Sequence, residues 1–138
     1  MKTSSAKAKG RRLQQYIMQK ISDITRIPCG KDELIASREM GQSGTDVRLI
    51  GKALNKFPFS VECKYQEKWS ILAWIRQAKA NRISGTKWIL FCKKNNHEPI
   101  VILDADYFFT LYGILLSKLY DEELKSKNPK DDKVKRTK

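Results

Sequence analysis

The sequence predicts an α/β fold in which a central mixed β-sheet is flanked by helices. The first observation behind this prediction is the order of hydrophobic patterns, because helical and strand-like segments follow one another as α–β–β–β–α–β–β–α. Strands that alternate with helices form a sheet that the helices cover. The second is size, because 138 residues with 41% hydrophobic content are enough for one core and too few for two.

The first predicted element is a helix that begins near Ser4 or Ser5, either of which can cap it, and ends before Pro28 and Gly30. Its expected apolar face consists of Leu13, Tyr16, Ile17, Ile21 and Ile24. The next strands are expected within residues 32–39, 45–50 and 59–65, and residues 51–58 are a connection with room for one helical turn.

A second long helix is predicted over about Trp69–Arg82. The β-rich runs 86–94 and 99–105 are expected to form a hairpin around the Asn95–Asn96 turn. The last helix should run from Tyr107 to about Leu119. Residues 1–120 are therefore predicted as one domain with a basic N-terminal arm, and residues 121–138 as a charged, disordered tail without apolar periodicity.

The net charge of +13 predicts attraction to polyanions, with nucleic acid as the first candidate and a membrane surface as the second. No apolar run approaches the ~18 residues that a membrane span needs. The N-terminal segment is basic but no apolar stretch follows it, so it does not resemble a secretory signal. Cys29, Cys63 and Cys92 are odd in number and widely spaced, which fits a reducing cytoplasm.

Two charged residues stand in the predicted strand 59–65. Glu62 and Lys64 are two positions apart, so they point to the same face of a strand. Asp46 lies in the preceding predicted strand, and it can lie next to Glu62 if the two strands pair. Two carboxylates so close repel each other unless a cation lies between them, and such oxygen ligands suit Mg²⁺. The pattern D…ExK therefore indicates metal-assisted phosphodiester hydrolysis, although solvated partners on an exposed strand face give the same pattern.

The segments "SGTDV", "PFSVECKYQEKW" and "AWIRQAKAN" resemble the PD-(D/E)XK nuclease superfamily, in particular small phage-encoded members. The early helix with "AKGRRLQ" also resembles archaeal-type Holliday junction resolvases. The resemblance spans roughly residues 7–104 and implies a restriction-endonuclease-like core.

The resemblance also implies roles for matching positions. Asp46 and Glu62 would bind Mg²⁺ with the backbone carbonyl of Cys63, Mn²⁺ is expected to substitute, and Lys64 would be the catalytic lysine. Gln77 would support the site or a DNA phosphate, and Ser37 matches a serine that precedes the metal aspartate.

Other readings of these positions stay open. Gln77 can equally be a polar residue at a helix edge, and Ser37 a turn residue. Many resolvases place a glutamate where this chain has Gln14, and either Glu33 or Glu39 could supply a third acid instead. The three tryptophans are better explained as core than as stacking platforms.

The acid-free N-terminal run gives the best candidates for phosphate contacts, which act independently of base sequence. These candidates are Lys7, Lys9, Arg11 and Arg12. A solvated tail is the alternative for this run.

The expected function is a Mg²⁺-dependent endonuclease that acts on branched DNA, with four-way junctions as the preferred substrate on the strength of the resemblance. A homodimer is expected because two opposed strands must be cut. The apolar run "YFFTLYGILLSKL" offers a dimer surface, or simply packs in the core. The alternatives are a nuclease of this fold with another DNA substrate and a basic DNA-binding module without catalysis.

Overall fold

The computed structural model describes residues 2–38 and 44–127. The chain forms two compact units, Met1–Leu103 and Asp104–Lys138. The elements of the first unit are α1 (Lys2–Thr25), β1 (Ile35–Ser37), β2 (Val47–Leu49), α2 (Lys52–Lys56), β3 (Phe59–Tyr65), α3 (Ile71–Ala80), β4 (Lys87–Lys93) and β5 (Ile100–Ile102). The described part of the second unit contains α4 (Ala105–Lys127). The α/β class and the predicted order of the long elements are confirmed.

The five strands form one mixed sheet in the order β1–β2–β3–β4–β5. Neighbouring strands are antiparallel except β3 and β4, which are parallel and are connected through α3. A helical crossover of this kind is what a parallel pair requires. The β4–β5 pair confirms the predicted hairpin, and Asn96 adopts a positive φ of 61° in its turn.

Strand β3 lies at the centre of the sheet, and its side chains alternate between the two faces. Val61, which is fully buried, Cys63 and Tyr65 project to one face, and Glu62 and Lys64 project to the other. We call these the Val61 face and the Glu62 face.

Helix α3 packs over the Glu62 face. There Trp74, Leu90 and Cys92 form a buried cluster, and Trp69 and Trp88 pack against it. The three tryptophans thus belong to the core or its margin, as the sequence predicts.

Helix α1 contacts β3 and β1 over the opposite, Val61 face. Three of the predicted apolar positions are buried, namely Leu13, Ile17 and Ile21. The other two are not, because Tyr16 is 47% and Ile24 71% exposed. The buried stripe is therefore narrower than predicted, and Tyr16 instead lines a cavity beside α1.

Helix α4 extends to Lys127, so residues 121–127 are helical and do not belong to a disordered tail. Glu, Leu and Lys dominate this segment and have high helix propensity, so a helix propagates through it without apolar periodicity. Lys125 and Lys127 in the last turn also interact favourably with the helix dipole. The rest of the predicted tail, 128–138, lies outside the described residues.

Within residues 2–38 and 44–127, no helix has the length and apolar character needed to cross a membrane.

Candidate active site

Two carboxylates from neighbouring chain segments meet at the β2–β3 pair. Val47 pairs with Val61, so Asp46, which directly precedes β2, lies opposite Glu62 on the same face. The Asp46 N–H donates to the carbonyl of Val61 at 2.8 Å, and the Cys63 N–H donates to Asp46 Oδ2 at 2.7 Å. These two bonds fix the backbone and the side chain of Asp46 against β3.

Glu62 is only 2% exposed, and its Oε1 accepts a hydrogen bond of 2.8 Å from Asn81 Nδ2. Burial, followed by the charge of Asp46, raises the pKa of Glu62 from 4.5 to about 7. The hydrogen bond from Asn81 and the charge of Lys64 act in the opposite direction and do not offset this rise. The two carboxyl groups therefore repel each other when both are ionised.

Lys64 follows Glu62 on the same face and is partly buried. In the parallel register it lies beside Cys92 of β4. Burial raises the pKa of the Cys92 thiol to about 11 despite the charge of Lys64, and burial also raises the pKa of Cys63. Both thiols stay protonated at neutral pH, so neither is suited to act as a nucleophile.

The donor set suits a hard divalent cation. Asp46 and Glu62 offer carboxylate oxygens, and the Cys63 carbonyl projects to the same side of β3 as the N–H that binds Asp46. Mg²⁺ accepts few protein ligands and keeps several waters, and Mn²⁺ accepts the same oxygen ligands. No group of three or more His, Cys, Asp or Glu side chains suited to a metal occurs among the described residues.

Among residues 2–38 and 44–127, no third acid joins the pair in a group that could hold a metal ion. Glu33 is exposed in the turn before β1, and Glu39 lies outside the described residues. Gln14 is a partly buried residue of α1. The carboxylate pair and one backbone carbonyl are therefore the protein ligands that this part of the chain offers.

Two of the predicted site residues make no hydrogen bond with the Asp46–Glu62 pair. Gln77 is exposed on α3, and no hydrogen bond joins it to the carboxylates or to Lys64. Ser37 is exposed and pairs with Val47 in the β1–β2 register, so it belongs to the face opposite Asp46. Gln77 thus fits the simpler reading of a polar residue at a helix edge, whereas Ser37 is the exposed last residue of β1 and not a turn residue.

Asn81 is the residue that sequence reasoning missed. It follows α3, three positions after the buried Ala78 and seven after the buried Trp74, so it continues the inner face of the helix. The connection after it is tied to β3, because the Ile83 N–H donates to Ser60 Oγ at 2.9 Å. The available signal was a polar residue at the end of an apolar helical stripe.

The predicted DNA-binding cations lie on the N-terminal half of α1. Lys7, Arg11 and Arg12 are exposed, and Lys9 is half-buried with its Nζ 5.7 Å from the ring centroid of Tyr65. Tyr65 directly follows Lys64, so this basic segment reaches the carboxyl end of β3 from the other side of the sheet.

Comparisons with known proteins gave no family. No protein-family model matches the chain, and no curated protein or solved structure matches it significantly.

Glu62→Gln should stabilise the metal-free protein at high pH. A raised pKa in the folded state stabilises the fold below about pH 4.5, and that contribution is lost as the pH rises through about 7. At about 1.4 kcal/mol per pKa unit, the variant should gain roughly 3 kcal/mol over wild type between pH 4.5 and pH 8. Urea unfolding in EDTA at several pH values measures this. Glu98→Gln, a matched change at an exposed position, is the control. A Glu62→Gln difference that does not depend on pH would contradict the placement of Glu62.

Asn81→Ala should raise the pKa of Glu62 further, because the amide hydrogen bond favours the ionised carboxylate. In the same titration the pH-dependent loss of stability should move to higher pH than in wild type. Asn55→Ala, at an exposed position of α2, is the control. Identical pH profiles for the two alanine variants would show that Asn81 does not act on Glu62.

Proposed function

We propose that the protein is a Mg²⁺-dependent deoxyribonuclease with a restriction-endonuclease-like core. The observation that carries this proposal is the pairing of Asp46 with the buried Glu62 beside Lys64. Proteins rarely bury a carboxyl group beside a second carboxylate without a cation or a catalytic use for the pair. The net charge of +13 supports a polyanionic substrate.

The proposed site divides the work among three side chains. Asp46 and Glu62 each accept a hydrogen bond from a protein donor, Cys63 N–H and Asn81 Nδ2. A side-chain hydrogen bond also joins the two carboxyl groups, and a cation would replace the proton that they share. A bound Mg²⁺ supplies Lewis acidity and lowers the pKa of a coordinated water. Lys64 places its ammonium group near the scissile phosphate, where it stabilises the negative charge that develops in the transition state.

The preference for branched DNA rests on the resemblance of the sequence to junction resolvases. Such enzymes cut two opposed strands, so we propose that two copies of the chain act together. Helix α4 supports this proposal, because it has no buried residue and carries large apolar side chains. Its exposed apolar residues are Phe108, Phe109, Leu111, Tyr112, Ile114, Leu115, Leu119, Tyr120 and Leu124.

Asp46→Asn and Glu62→Gln should abolish cleavage of four-way junctions while binding persists or tightens in EDTA, because each change removes a charge that repels phosphate. Both variants should also lose the rise in melting temperature that Mg²⁺ or Mn²⁺ gives to wild type. Lys64→Ala should keep that rise and lose orders of magnitude in turnover, as an oriented cation contributes several kcal/mol at the transition state.

Glu98→Gln and Lys68→Ala are the matched controls at exposed positions and should cleave normally. A linear duplex assayed beside the junction tests the preference for branched substrates. DNA binding without cleavage by wild type in either metal would favour the non-catalytic DNA-binding module. Near-normal turnover of either carboxylate variant would exclude the proposed site.

Replacing Lys7, Lys9, Arg11 and Arg12 with alanine should flatten the dependence of log affinity on log salt by roughly two to four units, because each phosphate contact contributes about 0.9. Cleavage at saturating DNA should change little, since the carboxylate pair and Lys64 remain. Salt titrations of junction binding measure the slope, with a chain that ends at Lys127 for comparison. An unchanged slope in the quadruple variant and a large loss in the shortened chain would place the DNA contacts at the C-terminus.

Phe109→Glu should convert a dimer into a monomer, because it places a charge on an apolar contact surface; Phe109 is 70% exposed in the single chain. Light scattering after size-exclusion chromatography gives the molecular mass. Ser117→Glu, at an exposed polar position of the same helix, should remain dimeric. A monomeric wild type, alone and on a four-way junction, would contradict the proposed pairing.

A further inference from the structure

A second site lies on the Val61 face, across the sheet from the carboxylate pair. A cavity of about 300 Å³ opens between α1 and the ends of β3 and β4. Its lining consists of Arg12, Leu13, Tyr16, Tyr65, Lys93 and Pro99. We call it the Tyr65 cavity. It combines two tyrosines with two cations, and none of its lining residues is acidic.

The ring of Tyr65 is held in place from several directions. Its hydroxyl donates to Asn95 Oδ1 at 2.9 Å, and the Asn95 N–H donates to Glu67 Oε2 at 2.9 Å. The ammonium groups of Lys9 and Lys93 lie over the ring, 5.7 and 5.3 Å from its centroid, so a base that stacks on the same surface displaces an ammonium group from it. A ring fixed in this way loses little conformational entropy when a ligand binds.

The cations around the cavity keep capacity to bind an anion. Lys93 Nζ donates to the carbonyls of His97 and Lys94 at 2.6 and 3.3 Å, which leaves one of its three donors. Arg12 is exposed at the rim, and its planar guanidinium suits a phosphate group. The nearest acid in this network, Glu67, is engaged by the Asn95 N–H. An anion would therefore reduce the repulsion among Lys9, Arg12 and Lys93.

A nucleotide carries both groups that this lining suits, a planar base for the tyrosine rings and a phosphate for the cations. We propose that the Tyr65 cavity binds one nucleotide of an unpaired DNA strand, with its base against the tyrosine rings and its phosphate at Arg12 and Lys93. The volume is at the lower end of the range for small-ligand sites, so it admits a single nucleotide and not a duplex. Stacking on aromatic rings together with backbone cations is how proteins bind single strands without reading sequence.

The position of the cavity relative to the carboxylate pair adds a constraint. Lys64 and Tyr65 are adjacent in β3 and point to opposite faces, so the two sites share the carboxyl end of one strand. This inference rests on the proposed function for the identity of the polymer, and it specifies that the substrate carries an unpaired base near the cut.

The test is binding of a fluorescent oligothymidine and of a duplex to the full chain in EDTA, where no cleavage occurs. Tyr65→Leu should weaken oligothymidine binding about 5- to 150-fold, which corresponds to the ~1–3 kcal/mol that stacking contributes per base. Duplex binding should change less than about twofold. Tyr65→Phe keeps the ring and should retain most of the affinity. Equal losses for both DNAs, or equal losses for the Leu and Phe variants, would overturn the proposal.

A second measurement does not depend on how the variants fold. On irradiation, an oligonucleotide that contains 5-iodo-deoxyuridine should crosslink to Tyr65 or Tyr16 of the wild-type protein. Mass spectrometry identifies the crosslinked residue. Crosslinks found only elsewhere would overturn the proposal.

Arg12→Ala should reduce the salt slope of oligothymidine binding by about 0.7, the value for one single-strand phosphate, while Arg76→Ala on α3 should not. Tighter binding of the matching RNA oligomer would overturn the assignment to DNA. If the protein binds single strands through Tyr65 but never cleaves DNA, the nucleotide-binding cavity is supported and the nuclease function is rejected. If it cleaves DNA without binding single strands through Tyr65, the nuclease function is supported and the cavity proposal is rejected.

Discussion

Two hydrogen bonds between Asp46 and β3 determine whether the candidate site exists. One fixes the Asp46 backbone to Val61, and the other fixes its carboxylate to the Cys63 N–H. A shift of one residue in this register would turn Asp46 to the Val61 face, because side chains alternate along a strand. The register is protected by the burial of Val47 and Val61, which are 1% and 0% exposed. Apolar packing on one face therefore sets the geometry of the polar site on the other.

The same packing supports an electrostatic cost. Glu62 is buried beside Asp46, and its pKa is raised to about 7. Ionisation of both carboxyl groups therefore lowers the free energy of unfolding as the pH rises. Asn81 and Lys64 reduce this cost but do not remove it. A divalent cation between the carboxylates would remove the repulsion, and this supports the proposed metal site.

The parts of the site that the sequence predicts are those that depend on strand alternation. Glu62 and Lys64 share a face because they are two residues apart, and Asp46 joins them through simple pairing of neighbouring strands. Asn81 depends on how α3 packs across the sheet, which no local period reveals, and the resemblance points to Gln77 on the same helix instead. Residues 121–127 lack apolar periodicity, which predicts a tail, whereas helix propensity alone continues α4 through them.

Separating the cations from the carboxylates has a physical reason. Of the cations in the described ranges, Lys64 is the one whose charge lowers the pKa of Glu62. The basic residues of α1 reach the end of β3 on the opposite face, at Tyr65. If they surrounded Asp46 and Glu62 instead, they would form ion pairs with the carboxylates. Those carboxylates would then be less available to a metal ion, and the cations would be less available to a DNA phosphate. In the proposed nuclease, their position across the sheet would let the protein attract DNA and still keep its two carboxylates available for a cation.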